Sequence, residues 1–316
     1  MVGGQDLNQM NGITSLGVGL HCLLQEWTLN ILKMTISVLI SVYKAENVNN
    51  LNVALKSVWD DQTLKPEQIV LVEDGPLQDS LEKVVQSFKF KVQSDGITTF
   101  TIVRLPKNAG LTKALNEGLQ YVTGDLIARM DSDDISEPHR FERQVAYLEA
   151  HPDVDIISGS LQEFDAENDC LNIRHYPQTH EECVKFIVKA CPLAHPSVMM
   201  RRRIFDEGLK YDERYRMSQD IKLWYDAVLA GYRLGNIPEV TLFFRREGDV
   251  FRRRSRAKAW NEFKIYMNGI YRLKGLFTLS YRYPIARYIF RNLPPSLVKR
   301  IYGSKIRKRV LENKNG

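Results

Sequence analysis

Leu126-Ile127-Ala128-Arg129-Met130-Asp131-Ser132-Asp133-Asp134 is the stretch that decides the fold of this chain. An apolar run of strand length, Leu126–Met130, stops in three carboxylates within four residues. Carboxylates so close repel one another unless a cation or donor hydrogen bonds compensate, and hard divalent cations with oxygen ligands meet that demand. An acidic loop capping a helix that starts near Ser136 would meet it as well, because carboxylates are favoured at helix N-termini.

Working outward, three more apolar runs precede this one: Ile36–Tyr43, Ile69–Val72 and Thr101–Leu105. Each is followed by apolar residues at helical spacing, namely Leu51, Ala54, Leu55 and Val58, then Leu77, Leu81, Val84, Val85 and Phe88, then Leu111, Ala114, Leu115, Leu119 and Val122. Four strands joined by helical crossovers predict an α/β fold with a mainly parallel sheet covered on both faces. Ligands bind such sheets at the carboxyl ends of the strands, where this sequence places Tyr43-Lys44-Ala45-Glu46, Glu73-Asp74-Gly75, Lys107-Asn108-Ala109-Gly110 and Asp131–Asp134. Asp74 has the chemistry to hydrogen-bond a base or ribose, although Asp-Gly-Pro also favours a plain turn. Lys107, Asn108, Lys113 and Arg129 add donors for a diphosphate. An aspartyl-nucleophile phosphohydrolase would carry its Asp-x-Asp after the first strand, whereas this one follows the fourth.

The second half is less regular. Helices are expected from Ser136 and Pro138 with Phe141, Val145 and Leu148 inward, over Glu181–Ala190, and over Gln219–Leu229 before Gly231; short strands are expected at Val154–Ser158 and near His195–Met200. Residues 1–33 are poorly patterned, and the compact fold is expected to begin at Met34. Gly17-Val18-Gly19 is a decoy, with Cys22 where a third glycine belongs and no strand before it. Four cysteines form no C-x-x-C pair, which argues against a zinc site or disulfide framework and for a reducing cytoplasm. No apolar run is long enough for a transmembrane helix.

The net charge of +6 is unevenly placed. Residues 245–316 hold 20 Lys/Arg against 4 Asp/Glu, leaving 24 basic and 34 acidic residues in the rest of the chain. An acidic body with a basic tail disfavours a nucleic-acid partner. Within 276–310, aromatic and aliphatic residues such as Phe277, Leu279, Tyr288 and Phe290 interleave with Arg282, Arg287, Arg291 and further cations. That pattern suits either an anionic membrane surface or packing on the chain's own body.

Over residues 35–256 the motifs resemble family 2 glycosyltransferases of the GT-A fold. The resemblance lies in Ser37–Tyr43 with Glu46, Ile69–Gly75, Asn108-Ala109-Gly110-Leu111 with Ala114, Asn116 and Gly118, Gly124-Asp125, and Met130–Asp134. Pro138, Arg140, Gln144-Val145, Leu193–Met199 and Gln219–Trp224 are similar to the bacterial surface-polysaccharide branch, which makes exopolysaccharide, capsule or O-antigen. This likeness implies a nucleotide-sugar-binding half at 34–135, an acceptor and catalytic half at 136–256, and a basic helical tail at 257–316. It places Tyr43, Glu46, Asp74 and Ser132 around the donor nucleotide, Lys113 and Arg129 near its phosphates, and Asp131 and Asp133 on Mn²⁺ or Mg²⁺. Asp220 falls where the family keeps its general base. Glu73 and Gln219 depart from the commoner Asp and Glu at their positions.

Breaking an anomeric bond to a nucleoside diphosphate leaves about two negative charges on the leaving group, which a divalent ion stabilises. The acceptor hydroxyl attacks once a carboxylate takes its proton, and Asp220 opposite the leaving group implies inversion. Asp220 also reads as an N-cap or first-turn acid for the helix that buries Ile221, Trp224 and Val228, and both readings can hold together. His195, Gln219, Trp224 and the run Arg252-Arg253-Arg254 are candidates for the acceptor side, with core packing the alternative for His195 and Trp224, and ordinary surface arginines for the run. The expected activity is transfer of a hexose or N-acetylhexosamine, galactose favoured, from a UDP-sugar to a lipid-pyrophosphate-linked saccharide at the cytoplasmic face of the membrane. Sugar-phosphate nucleotidyl transfer is the enzymatic alternative and lacks its glycine-rich phosphate loop here; nucleic-acid binding is the non-enzymatic one.

Overall fold

Parallel pairing of the first four strands builds the rim. The computed structural model describes residues 34–165, 169–246 and 256–293. In it β1 (Ile36–Val42) pairs with β2 (Gln68–Glu73) and β4 (Leu126–Asp131), and β2 pairs with β3 (Thr99–Arg104), all in parallel. Helices α1 (Val48–Ser57), α2 (Asp79–Asp95) and α3 (Leu111–Leu119) make the crossovers. β2 is buried along its whole length, as a strand covered on both faces must be. The register aligns Ser41 with Asp131 and Val42 with Glu73, so the polar ends of these strands finish level.

Beyond β4 the sheet becomes mixed. Its order continues through β8 (Met199–Arg201), β6 (Ile156–Phe164), β9 (Leu234–Arg245) and β5 (Ile135–Ser136), with β7 (Cys170–Arg174) also on β6. β8 runs antiparallel to both β4 and β6, and β9 runs parallel to β6. The strand expected near His195–Met200 is a 3₁₀ turn at His195–Ser197 followed by the three-residue β8, since Pro196 has no N–H to give a ladder. The helix expected from Ser136 begins later as α4 (Arg140–Ala150), because Ile135 and Ser136 pair with Phe243 and Leu242. β9 carries no clean alternation, and its register on β6 slips between Gly159 and Leu161. A Cβ on Gly159 would sit 2.4 Å from the Thr241 side chain, so glycine there lets the two strands meet.

The remaining helices are α5 (His180–Phe186), α6 (Arg203–Asp206), α7 (Gln219–Leu229), α8 (Arg256–Lys274) and α9 (Arg282–Asn292). Thr179 and Glu182 close a capping box on α5. α8 is the surprise in the basic tail. Its Ile265, Tyr266 and Ile270 share a core with Trp224 and Tyr225 of α7, and Gly269 lets the helices touch, since a Cβ there would lie 2.4 Å from the Tyr225 ring. The start of the expected tail is thus packed into the core of the sheet-bearing body. Residues 1–33, Arg252–Arg254 and the tail beyond 293 lie outside the described residues.

Candidate functional site

The acidic strand end is built as a carboxylate cluster. Oxygens of Asp131, Asp133 and Asp134 lie within 4.8 Å of one another. Burial, then the charges of Asp131 and Glu46, push the Asp133 carboxyl up to about 6. Asp134 is buried and held well above its ordinary value by desolvation and its two neighbours. One of its oxygens accepts from the Arg245 backbone N–H at 2.8 Å, while the other has no partner. Arg245 Nε also donates to the Asp133 carbonyl at 2.8 Å, so β9 clamps the loop from behind. Three crowded carboxylates, two of them with raised pKa values and one with an orphaned oxygen, fit a hard divalent cation. Asp134 joins the two carboxylates expected from sequence.

Arg129 adds a cation to this cluster. Only 1% exposed, it pairs with Asp131 through Nη2, while its Nε and Nη1 have no partner. A buried guanidinium with two unspent nitrogens is a ready binding element for an anion. Its strand is held by Arg140, fully buried, which donates to the Arg129 carbonyl at 2.8 Å and the Val198 carbonyl at 3.2 Å. Gln144 secures the same turn by donating to the Ser197 carbonyl at 2.8 Å.

A cavity of about 530 Å³ opens from Arg129 and Asp131 and is bounded on another side by Gln219 and Asp220. Asp220 sits in the first turn of α7, and burial is the main cause that raises its carboxyl above the ordinary range. Cys191 Sγ lies 3.7 Å from Asp220 Oδ2. The helix is entered through Ser218 at φ 64°, the one non-glycine residue in left-handed backbone among the described residues. Strain of that kind collects where geometry is imposed by function.

The other candidates divide. Ser132 donates to Glu46, tying the β4 loop to the residues after β1, and Tyr43 is exposed on that same rim. Asp74 accepts from Asn108 Nδ2 at 2.9 Å, Ala109 N at 2.6 Å and Gly110 N at 3.0 Å. Its carboxylate is therefore spent mostly on the turn that opens α3, which shapes the rim rather than offering a free acceptor. Gly75, at φ 85°, is needed at that contact, for a Cβ would lie 2.5 Å from Asn108 N. Lys113 is exposed on α3 and is not among the described residues lining the cavity.

On the acceptor side, His195 and Gln219 line the cavity. His195 Nε2 pairs with the Tyr211 hydroxyl at 2.8 Å, and burial holds its pKa well below the ordinary value, so it is neutral. Trp224 is 0% exposed and packs edge-on to His195, the core placement that is the alternative to an acceptor-side role. The sequence reading did not anticipate that Lys258, Glu262 and Tyr266 of α8 and Arg287 and Arg291 of α9 also line this cavity. The spacing of Lys258, Glu262 and Tyr266, four residues apart on one helical face, was the available signal.

Residues 37–209 match the family described as Glycosyl transferase family 2. The chain is 35% identical over 238 residues to the amylovoran biosynthesis glycosyltransferase AmsE of Erwinia amylovora, covering 75% of this chain and 85% of that one. It is 29% identical over 274 residues to the UDP-Gal:α-D-GlcNAc-diphosphoundecaprenol β-1,3-galactosyltransferase of Escherichia coli, covering 86% and 96%. Among solved structures it resembles a mannosyltransferase from Pyrobaculum calidifontis in complex with GDP-Man and Mn²⁺, with a TM-score of 0.58, 14% identity, and coverage of 96% and 89%. At that identity the likeness is one of fold.

Proposed function

Because the chain belongs to Glycosyl transferase family 2, has the GT-A fold and is a hexosyltransferase of the bacterial surface-polysaccharide type, we propose that it moves a hexose or N-acetylhexosamine, galactose favoured, from a UDP-sugar to a lipid-diphosphate-linked saccharide with inversion at the anomeric carbon. Family membership sets aside nucleotidyl transfer and nucleic-acid binding as its activity. The observation that carries the finer reading is a single cavity shared by Asp131, the unspent guanidinium of Arg129 and Asp220. The donor specified in the name of the Escherichia coli relative supports galactose.

Asp131 and Asp133, with Asp134 behind them, would hold Mn²⁺ or Mg²⁺, which supplies positive charge against the departing diphosphate. Arg129 adds the N–H donors of its two unpaired nitrogens from a buried position, where they are worth more than in water. Asp220 takes the proton of the attacking hydroxyl at a carboxylate oxygen, and its raised pKa makes it a stronger base than a solvated aspartate. Glu46, Ser132 and the Asp74-held turn shape the nucleotide rim.

Peripheral attachment to the inner face of the membrane completes the reading. No helix among the described residues is long and apolar enough to cross a membrane. The turn between α8 and α9 instead exposes Leu276, Phe277 and Leu279, with Phe277 101% exposed. Between Arg256 and Leu293 stand eight Lys/Arg and one acid, Glu262. Apolar anchors among cations suit an anionic interface.

The test is a nucleotide-sugar panel with Mn²⁺ or Mg²⁺, read by thermal stabilisation and donor hydrolysis. UDP-galactose or a related UDP-hexose should stabilise the protein and be slowly hydrolysed. Silence towards every UDP-sugar, with or without metal, refutes the donor assignment.

A further inference from the structure

The cavity is electrically polarised. At the β4 end stands Asp131, with Asp133 and Asp134 clustered beside it, so that three carboxylates outweigh the one guanidinium of Arg129 there. At the other end stand Lys258 of α8 and Arg287 and Arg291 of α9, with Asp220 between. We propose that these three cations form a subsite for the diphosphate of the acceptor. This rests on the reading above that the acceptor is a lipid-diphosphate-linked saccharide.

The two arginines are pre-oriented by the protein. Arg291 is held by Glu262 at 2.8 Å, and Glu262 in turn accepts from Ser218 Oγ at 3.3 Å, in the strained residue that enters the Asp220 helix. Arg287 lies over the Tyr266 ring at 4.9 Å and donates to the Lys189 carbonyl. A guanidinium carries five N–H donors, so each of them keeps donors for phosphate oxygens after these contacts. Placing phosphates here fixes the acceptor's direction: its diphosphate avoids the carboxylates, and its sugar hydroxyl points towards Asp220.

α9 also explains where the lipid goes. Arg287 and Arg291 line the cavity, while Ile285 and Ile289, 43% and 56% exposed, lie on the other side of the same helix. Two residues of helix turn the side chain through about 200°. One face of α9 therefore reads phosphate and the opposite face is apolar and exposed, as a helix lying between a cavity and a bilayer requires. The subsite belongs to the seam where the head group leaves the membrane surface.

Hexyl diphosphate, which carries no sugar and no nucleoside, is the probe. Its binding to the full-length protein in EDTA is measured by calorimetry, beside UDP binding in Mn²⁺. Arg287→Gln/Arg291→Gln should weaken hexyl diphosphate by about tenfold or more while leaving UDP affinity within about twofold. Because losing Arg291 leaves Glu262 without its ion pair, Lys258→Gln and Arg287→Lys are measured too, each checked for an unchanged unfolding midpoint. Both should weaken the probe by a smaller factor. Unchanged probe binding in all variants overturns the subsite, and equal losses for UDP assign these cations to the donor instead. Equal binding of hexyl monophosphate, or full competition by phosphatidylglycerol vesicles, overturns it in favour of a lipid head group. Failure of the wild type to bind UDP with metal is a separate result, which refutes the donor reading and leaves the subsite standing on its own data.

Discussion

Asp220→Asn keeps the shape of the side chain and removes its charge, and its surroundings make turnover and stability respond in opposite directions. Asp220 lines the cavity with protein on most sides, and desolvation is the main cause that raises its pKa. A carboxyl whose folded pKa lies above its unfolded value binds more protons when folded, so its contribution to stability is lost as pH rises through the folded value. At neutral pH the ionised side chain therefore costs stability, and the neutral amide should recover about 1 kcal/mol, in the range of substitutions that relieve an active-site group. For a protein of this size that is about 2–4 °C in unfolding midpoint. Removing a general base should cost about 10²–10⁴-fold in turnover. The assay is transfer from the UDP-sugar beside thermal unfolding over a pH series. The gap in midpoint between variant and wild type should close as the pH falls and Asp220 protonates, and wild-type turnover should fall over the same range. Undiminished turnover, or a variant less stable at neutral pH, would refute the reasoning.

Three further outcomes follow from the same geometry. Because the Asp133 carboxyl is pushed up to about 6 by burial, Asp131 and Glu46, protons compete with the cation there: Mn²⁺ affinity measured by calorimetry should fall by up to about tenfold per pH unit below that value, and a pH-independent affinity would exclude Asp133 as a ligand. Arg129→Met keeps the volume of the wall but deletes two unspent donors, so the donor KM should rise by about tenfold or more; an unchanged KM would place the diphosphate elsewhere. Gly269→Ala puts a Cβ 2.4 Å from the Tyr225 ring, forcing α8 off α7 at a cost of about 1–3 kcal/mol. Its unfolding midpoint should drop, and activity should drop with it because Lys258 and Glu262 ride on α8.

What the sequence discloses follows from how local each signal is. β1 to β4 are apolar runs punctuated by polar rims, and their parallel order follows from the helical spacing between them. The Asp131–Asp134 cluster is legible for the same reason, because four consecutive residues at a strand end cannot avoid one another. β8 and β9 leave a weaker trace: of the strand expected near His195–Met200 only the three-residue β8 forms, and β9 contains Pro238 and slips in register on β6 beyond Gly159. Residue type alone also does not say what a side chain is spent on. Trp224 has the right ring for a sugar but no exposed surface, and Asp74 has the right carboxylate for a nucleotide but spends it on its own turn. The basic tail is the sharpest case. Composition alone treats its cations as one surface, whereas the fold separates them by helical phase. Lys258, Arg287 and Arg291 turn into the cavity, and Lys274 and Arg282 stay outside beside Phe277 and Leu279. Charge that averages to a modest net value along the chain is thus divided between the cavity and the outer surface, and only the direction in which each helix faces tells the two sets apart.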